Sequence, residues 1–510
     1  METPLKVLLN RCWSSNFSTI LIILFGVLWM YYLYKCRMRG LTKKLESFNS
    51  IPTVPLIGNL NILSGTKKER AIKWYKLVTE HETPLVFWLL HKPIFILGRS
   101  QDIQVVLNRT QERDLLGMFE MVFGDSITGL QGEKWRKHRR IVTSAFSPKM
   151  LQAYLKIFNK YSFLLTNDLK KFADNDNAID TWNHVNHVNS LSITQNITGH
   201  KVEIGDRSID EFTEAYSKSL GIETSRFTSP VLLPKLIYKL YLVISGKIEI
   251  FKTMRRFPRH IVKERLSEYE KKLQENEQRE ETDNSKTLID SLLNAHIADA
   301  EFTEKHVSAE IANLIILGND STSTTINFVL LMMAMYPNIQ ERVYEEIKTV
   351  LGNSDREVET EDIRKFVYLE RCIKETLRKF TVLPITFRRH NEDITLNDGR
   401  IIPANHTMLI AFYAAHHDRK VFPNPEKWDP EHFAPNNITT QREVFFPFGA
   451  GLRSCVGATY AMMSMKTQLV YLLRCYRFTT NMKMNDLKLT FLPGLRNTTG
   501  FWMKLWSRDT

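Results

Sequence analysis

The longest uninterrupted apolar stretch of the chain lies close to its N-terminus. It comprises Phe17–Tyr34 and carries no charge; as a helix it would rise about 27 Å and match a thin bilayer core. Aromatic residues crowd its end, and lysines and arginines follow between residues 35 and 44. Both features are typical of an uncleaved anchor whose C-terminal side is cytosolic, whereas a signal peptide would need a small-residue cleavage site. We therefore predict a short lumenal N-terminus (1–16), a transmembrane anchor (17–34), a basic linker (35–50) and one cytosolic catalytic domain (51–510).

Helical periodicity dominates the remainder of the chain. Apolar residues recur at helical spacing over 307–336, where the stretch Gly318–Thr322 interrupts them, and charged residues fill 259–283 as in a solvated helix. Two segments, 85–98 and 385–410, have the short apolar character of strands. No regular alternation of strands and helices supports a doubly wound sheet. The sequence therefore predicts a mainly α fold with a minor β part.

Composition and charge narrow the class of protein. The 510 residues are 43% hydrophobic and 25% charged, which excludes a disordered chain and a polytopic membrane protein. The net charge of +13 favours anionic partners such as acidic lipid, an acidic protein or nucleic acid. Because basic and acidic residues are interleaved and no recognition motif occurs, we predict no nucleic-acid partner. The five cysteines show no C-x-x-C spacing, which favours a reducing compartment.

One of these cysteines follows a glycine-rich stretch and precedes a predicted helix. The segment Phe445–Ala461 has the sequence FFPFGAGLRSCVGATYA. The positive end of a helix dipole and the cation of Arg453 favour a thiolate at Cys455, and the glycines let a flat ligand approach the backbone. A single thiolate is a poor zinc site but suits a metal whose other ligands come from a cofactor, as in haem. A nucleotide-binding loop and a buried structural cysteine are the alternatives.

Five motifs in a common order resemble those of the cytochrome P450 family of haem-thiolate monooxygenases. The cysteine loop is similar to the haem-binding signature through Phe448, Gly451, Arg453, Cys455 and Gly457. The others are Trp135-x-x-x-Arg139, Gly318–Thr322, Glu375-x-x-Arg378 and Phe422–Phe433. The Glu-x-x-Arg and Trp-x-x-x-Arg motifs are weak alone, since Glu-x-x-Arg can be a simple helix ion pair, and their order around the cysteine gives them weight. The resemblance extends over residues 51–510 and implies the cytochrome P450 fold.

The resemblance implies that the chain binds haem b. Cys455 would be the axial thiolate of the iron, donating electron density that favours O–O cleavage. Arginine binds carboxylates bidentately, which suits residues that hold the haem propionates. The residues that the resemblance places at the cofactor are Trp135, Arg139, Arg388, Phe448, Arg453, Cys455 and Gly457, with Arg389 as the alternative to Arg388.

The interrupted helix is similar to the oxygen-binding helix of the family. The resemblance implies that Asp320, Ser321 and Thr322 relay protons to bound oxygen. Hydroxyls in mid-helix can bond back to the carbonyl four residues earlier and loosen the helix locally. A helix N-cap or an exposed polar turn is the alternative interpretation of this stretch.

Three positions depart from the family pattern. Glu375 and Arg378 would form a buried pair that holds the cysteine-bearing layer, and His432 stands where a further arginine is usual. Ser321 replaces a threonine and keeps its hydroxyl. The chain resembles the fatty-acid ω-hydroxylase branch and, in style, its insect members. That branch often carries a glutamate that esterifies haem where this chain has Leu317, so we predict non-covalent haem.

The resemblance implies a monooxygenase on the endoplasmic reticulum membrane. It would insert one oxygen atom from O2 into a lipophilic substrate such as a fatty acid, terpenoid, pheromone-like lipid or xenobiotic. Electrons would come from NADPH through NADPH–cytochrome P450 reductase, with cytochrome b5 as a further partner. Two alternatives remain: a haem-thiolate isomerase or lyase that needs neither O2 nor reductase, and a membrane-tethered haem or ligand binder without activity.

Surface and pocket segments can also be assigned. The basic stretch Lys134–Arg140 suits an acidic reductase, or is simply a solvated helix face. The apolar stretch Pro230–Val243 would either enter the membrane beside a substrate entrance or belong to the core. His416 and His417 are expected in a surface turn. The substrate pocket is predicted from segments 112–128, 226–243, 310–322 and 382–388.

Overall fold

The chain folds into a mainly helical body with a small amount of sheet, as predicted. The computed structural model describes residues 25–508 except 27, 28, 30, 34, 37, 38, 41, 44, 55, 56, 111, 115–118, 203–206, 228, 233, 275–286, 438–442, 492 and 493. The helices are α1 (Lys67–Glu80), α2 (Ser100–Arg109), α3 (Glu120–Phe123), α4 (Gly132–Ser144), α5 (Pro148–Leu169), α6 (Trp182–Thr198), α7 (Arg207–Phe227), α8 (Lys235–Ile244), α9 (Ile248–Gln274), α10 (Leu288–Ala298), α11 (Glu304–Met335), α12 (Pro337–Leu351), α13 (Thr360–Lys365), α14 (Val367–Lys379), α15 (Phe412–His416) and α16 (Ala458–Cys475).

In the described part of the chain, the strands form one five-stranded sheet and three smaller ones. They are β1 (Asn49–Ser50), β2 (Leu85–Leu89), β3 (Lys92–Leu97), β4 (Ile179–Asp180), β5 (Ile385–Arg389), β6 (Ile394–Thr395), β7 (Ile401–Ile402), β8 (Thr407–Ala411), β9 (Tyr476–Thr479), β10 (Leu489–Phe491), β11 (Leu495–Asn497) and β12 (Trp502–Ser507). The large sheet has the order β1-β2-β3-β8-β5, and β4-β12-β9, β10-β11 and β6-β7 form the others. Both predicted β segments therefore contain strands. Antiparallel pairing of β5 with β8 sets Arg388 opposite Met408.

The long helix α11 forms the centre of the body. Its apolar residues between Ile326 and Met333 are fully buried, which confirms the helix predicted over 307–336. A capping box between Thr303 and His306 begins it, and Pro337 opens the next helix where α11 ends. The polar stretch that interrupts the apolar pattern continues as helix. The alternatives of an N-cap or an exposed turn for that stretch are therefore wrong.

The predicted N-terminal segments lie largely outside the described residues. Residues 1–24 and several positions up to 44 are not described. Among the residues that are, no helix combines the length and apolar character needed to cross a bilayer. The division into lumenal end, anchor, linker and catalytic domain therefore stays a prediction.

Candidate active site

The cysteine loop has a backbone that requires its glycines. Gly449 and Gly451 have φ of +67° and +68°, a region that side chains disfavour. A Cβ atom on Gly451 would also lie 2.1 Å from the carbonyl oxygen of Leu107. The loop closes where the Cys455 amide donates to the Phe448 carbonyl at 2.9 Å. The Cys455 side chain is thereby held just before the N-terminus of α16, as the sequence predicted.

A cavity separates the cysteine loop from α11. All of the predicted haem-contacting residues line it, namely Trp135, Arg139, Arg388, Phe448, Arg453, Cys455 and Gly457, and so do Asp320, Ser321 and Thr322. Three of the four predicted pocket segments contribute lining residues. The segment 226–243 contributes none among its described residues. The structure therefore unites the predicted cofactor and proton-relay residues around one space.

Four guanidinium groups meet at this cavity: those of Arg113, Arg139, Arg388 and Arg453. Burial and the neighbouring guanidiniums lower the pKa of Arg453 to about 8, that of Arg388 to about 9 and that of Arg113 to about 10. The Nε atoms of Arg113 and Arg388 are buried, and no residue that the structure describes accepts a hydrogen bond from them. Among the described lining residues the only carboxylate is Asp320, on the other wall.

This arrangement fits a ligand that carries two carboxylates. Like charges held together in a buried space are costly unless an anion joins them. The propionates of haem are such anions, and arginine recognises carboxylates with paired hydrogen bonds. The residues of the cavity therefore fit the cofactor that the sequence predicts.

The structure distinguishes the two adjacent arginines of β5. Arg388 is 2% exposed and lines the cavity. Its terminal nitrogen donates to the Thr386 hydroxyl and the Phe387 carbonyl. Arg389 is exposed and does not line the cavity. Of the two alternatives, only Arg388 is placed to contact the cofactor.

Two further predicted residues brace the loop. The Arg453 guanidinium stacks on Trp135 at 3.9 Å from the ring centroid and donates to the carbonyls of Ile127 and Leu130. Arg139 donates to the Ser454 carbonyl at 2.8 Å. Arg453 thus fastens the cysteine loop to the segment before α4 while it lines the cavity.

Burial and the neighbouring groups have opposite effects on the pKa of the Cys455 thiol. Cys455 borders the cavity, so it is accessible although protein surrounds it. Burial raises the pKa of the thiol and outweighs the Gly457 amide and the guanidiniums of Arg139 and Arg113, which act to lower it. A cation at the cavity, such as an iron centre, would favour the thiolate against this effect of burial.

The cavity face of α11 carries three polar side chains with different partners. The Ser321 hydroxyl donates to the Leu317 carbonyl at 2.7 Å, which is the predicted bond to the carbonyl four residues earlier. The Thr322 hydroxyl is buried and has no hydrogen-bond partner among the described residues. Asp320 forms an ion pair with Arg496 of β11 at 2.5 Å. Burial raises the pKa of Asp320 and outweighs the opposing effect of Arg496.

Two site residues are absent from the sequence prediction. Arg113 lies in a predicted pocket segment, but no local pattern marks it as cofactor-facing. Arg496 lies 176 residues from its partner Asp320, a separation that no helical or strand spacing reveals.

The predicted ion pair is fully buried and well connected. Glu375 and Arg378 have no exposed side-chain surface and form two hydrogen bonds of 2.8 Å. Arg378 also donates to the carbonyls of His416 and Pro425. Glu375 accepts from the Asp429 amide at 2.9 Å. The pair therefore joins α14 to the loop that leads towards the cysteine.

The structure corrects the prediction for the two adjacent histidines. His416 and His417 are 0% and 8% exposed, so they do not form a surface turn. The Phe446 amide donates to Nε2 of His416 at 2.9 Å, and Nδ1 lies 2.9 Å from the Thr381 hydroxyl. These tertiary partners satisfy a buried neutral imidazole, and burial lowers the pKa of His416.

His432 takes the place of an arginine in this network. Its Nδ1 lies 3.1 Å from the Glu375 carboxylate, and its Nε2 lies 2.8 Å from the Pro423 carbonyl. Because both partners are acceptors, the geometry favours an imidazolium that donates from both nitrogens. Burial lowers the pKa of His432, but Glu375 and Pro423 outweigh it and the pKa is raised overall.

We expect the stability of the fold to fall as this imidazolium loses its proton. A pKa raised above the unfolded value of about 6.5 gives stability that is complete below that pH and is lost as pH rises through the folded pKa. The loss should be about 1.5 kcal/mol, the smaller value for a charged hydrogen bond. Thermal unfolding at several pH values should show this slope in the natural chain and a flatter one in His432→Arg. Equal slopes would contradict a charged His432.

Comparison with known proteins covers nearly the whole chain. The family model for cytochrome P450 matches residues 49–499. The chain is 28% identical to Cytochrome P450 4c21 of Blattella germanica over 92% of this chain and 95% of that protein. It is 27% identical to Cytochrome P450 4V2 of Homo sapiens over 93% of each, and 26% identical to Leukotriene-B4 omega-hydroxylase 3 of Mus musculus over 95% and 94%. The chain therefore belongs to the cytochrome P450 family, in its fatty-acid omega-hydroxylase-like clan.

Proposed function

We propose that this protein is a membrane-bound monooxygenase that inserts one oxygen atom from O2 into a lipophilic substrate, using electrons from NADPH. The observation that carries the proposal is the meeting of a cysteine thiol, four guanidiniums and a hydroxyl-bearing helix face around one cavity. Haem b, bound through the Cys455 thiolate, supplies the activation of dioxygen. Family membership supports both the cofactor and the reaction class.

The arginines would hold the cofactor and orient it. Arg113, Arg139, Arg388 and Arg453 offer donors to the propionates from one side of the cavity. Leu317 lies on the cavity wall where a carboxylate would be needed for an ester bond. The nearby Asp320 is engaged by Arg496. These positions support non-covalent binding.

Protons would reach the reacting oxygen along the face of α11. Asp320 can accept a proton because burial raises its pKa. The Thr322 hydroxyl has no partner in the described part of the chain and is free to donate into the cavity. The Ser321 hydroxyl is committed to the Leu317 carbonyl but can still accept. We propose that Asp320 supplies the proton, that the Thr322 hydroxyl passes it on, and that the Ser321 hydroxyl takes part once it releases the Leu317 carbonyl.

The substrate would be lipophilic. Apolar side chains that line the cavity include Ile193, Leu314, Leu317, Val382 and Leu383. Such a wall binds hydrocarbon by removing its surface from water. A relative at 26% identity is named Leukotriene-B4 omega-hydroxylase 3, which supports a fatty-acid-like substrate.

The exposed face of α4 is the proposed docking surface for NADPH–cytochrome P450 reductase or cytochrome b5. Trp135 and His138 of this helix are buried, whereas Lys134, Arg136 and Arg140 are exposed. One helix thus presents positive charge outward and cofactor-contacting residues inward. Electrostatic steering of an acidic partner to this face would bring it close to the haem.

An apolar helix face supports association of the domain with the membrane. Leu236, Leu240, Val243 and Ile244 of α8 are 80%, 58%, 62% and 76% exposed, whereas Tyr238 and Leu242 are buried. One face of this helix therefore belongs to the core, and the other is an exposed apolar surface. Lysines flank these residues, as suits a helix in an acidic lipid interface. Together with the predicted anchor, this face favours the endoplasmic reticulum membrane.

Aspartate at this face should weaken its contact with lipid. Burying each aliphatic side chain contributes about 1.5–3 kcal/mol, so Leu240→Asp with Ile244→Asp should abolish the protection from hydrogen exchange that acidic vesicles give α8 in the full chain. Phe163→Asp, at an apolar residue that is 56% exposed on α5, is the matched control. Equal protection in all three chains would contradict insertion of α8.

Reconstitution tests the reaction class directly. The full chain in lipid vesicles with reductase should consume NADPH and O2 and convert fatty acids or terpenoids to hydroxylated products. Isotopically labelled O2 should place one labelled atom in each product. Turnover of a lipid peroxide without NADPH or O2 would instead identify an isomerase or lyase. Haem binding without any turnover would identify a binder.

A further inference from the structure

A second cavity lies beside the active site and is also bounded in part by α11. It has a volume of about 420 Å³ and lies between α7, α11 and the β10–β11 hairpin. Its lining is made of Asp180, Trp182, Ser217, Leu220, Gly221, Thr324, Thr490, Arg496, Asn497, Thr498, Gly500 and Phe501. None of these residues lines the haem cavity. The proposed reaction therefore leaves this space without a role.

Arg496 connects the two cavities. One terminal nitrogen binds Asp320, which lines the haem cavity. This is the only side-chain hydrogen bond of Arg496 among the described residues. The guanidinium lies over the ring of Trp182, 5.6 Å from its centroid, and its side chain is 28% exposed. A planar guanidinium has five N–H donors, so most of them remain available on the side of the second cavity.

A second group in the cavity also lacks a partner. Thr324 is 1% exposed, and its hydroxyl makes no hydrogen bond within the described chain. It lines the second cavity one helical turn from Asp320. Buried polar groups are normally satisfied, so an unpartnered hydroxyl beside an underused guanidinium points to a polar ligand group between them.

The other residues that line the second cavity indicate the chemistry of the rest of the ligand. Trp182, Leu220 and Phe501 supply apolar surface. The cavity also contains the carboxylate of Asp180, whose Oδ1 already accepts from the amides of Trp182 and Phe501. The cavity thus offers a cationic donor at one place and apolar contact beside it. An anionic head on a small apolar body matches this distribution.

We propose that the second cavity binds a small amphipathic carboxylate through Arg496, and that its occupancy releases Asp320 from that ion pair. A carboxylate that binds both terminal nitrogens of Arg496 takes up the nitrogen that holds Asp320, and it therefore competes with that ion pair. Asp320 then loses its counterion while it stays in the wall of the haem cavity, so its neutral acid form is favoured. The ligand would thereby switch on the proton donor. The second part of this inference rests on the proposed function.

Calorimetric titration of the full-length haem protein tests the binding site. Phenylacetate is the probe and 2-phenylethanol its uncharged match, with saturating imidazole on the haem iron to block the first cavity. We expect one phenylacetate site and at least tenfold weaker binding of the alcohol. Equal affinities would overturn recognition of the carboxylate by Arg496.

A variant that fills the second cavity distinguishes binding at this site from general effects of a substitution on the protein. A side chain at Gly221 would meet no atom within 4 Å of its Cβ, so Gly221→Leu should occupy the cavity and spare the Arg496–Asp320 pair. It should weaken phenylacetate binding at least tenfold and leave the carbon monoxide spectrum unchanged. Ser225→Leu, one turn further along α7 and outside the lining, is the matched control. Unchanged binding in Gly221→Leu would overturn the proposed site.

Infrared difference spectroscopy tests the release of Asp320. Phenylacetate should produce a carboxylic-acid C=O band in the natural chain that is absent in Asp320→Asn and in Gly221→Leu. Binding without this band would overturn the release and leave the site standing. The titration and the infrared spectrum do not depend on turnover. They therefore test carboxylate binding and the release of Asp320 even if the protein shows no monooxygenase activity, and failure of the proposed function can be told apart from failure of this inference.

Discussion

Replacement of Cys455 by alanine is expected to abolish the thiolate signature of the haem protein. The reduced natural protein with carbon monoxide should show the red-shifted Soret band that thiolate ligation gives, and Cys455→Ala should lose it completely. The reason is geometric: Cys455 is the only cysteine that lines the cavity in the described chain. Difference spectra of both purified proteins provide the measurement.

A second cysteine variant keeps this test specific. Cys475 is a free thiol at the end of α16, on the same helix that follows Cys455. Cys475→Ala should retain the band at full amplitude. A natural protein that is folded and loaded with haem but lacks the band would contradict the assignment of Cys455. So would a band that persists in Cys455→Ala.

Replacement of Arg378 by leucine is expected to destabilise the fold by about 3–5 kcal/mol. The change leaves the carboxylate of Glu375 buried without its main partner, and three backbone carbonyls lose their donor. His432 compensates only in part, since a single nitrogen faces Glu375. Denaturant unfolding of the haem-loaded protein, followed by tryptophan fluorescence, measures the loss.

An arginine on the same helix provides the comparison. Arg371 of α14 pairs with the partly exposed Glu431 at 3.5 Å, so Arg371→Leu should cost less than about 1 kcal/mol. Glu375→Met combined with Arg378→Leu should destabilise less than Arg378→Leu alone, because no buried charge is left uncompensated. Equal losses for Arg371→Leu and Arg378→Leu would contradict the special role of the buried pair.

Local sequence patterns predicted those parts of the molecule that depend on local physics. The apolar period of α11 reflects burial along one helix, and the glycines before Cys455 reflect a backbone that tolerates no side chain. The cofactor residues were predicted as a set because the family motifs group them. In each case the signal and its cause lie within a few residues of each other.

The remaining features depend on contacts between distant segments. Arg496 and Arg113 acquire their positions only when the hairpin and the loop before α3 fold against the cavity. His416 is buried because Thr381 and Phe446 satisfy its nitrogens, which adjacent histidines in a sequence do not reveal. The apolar period of α8 predicts a helix with an apolar face, but periodicity does not tell whether protein or lipid covers it.

The crowding of guanidiniums at the haem cavity has a consequence for how the protein matures. Until an anion joins them, burial and the neighbouring guanidiniums lower the pKa values of Arg113, Arg388 and Arg453, and the same effects oppose closure of the folded chain. Cofactor binding and folding are therefore thermodynamically linked, and the folded fraction grows with the concentration of free ligand. In a cell, the steady-state amount of this enzyme would follow haem supply as well as transcription, with chains that find no cofactor left to the proteolytic machinery.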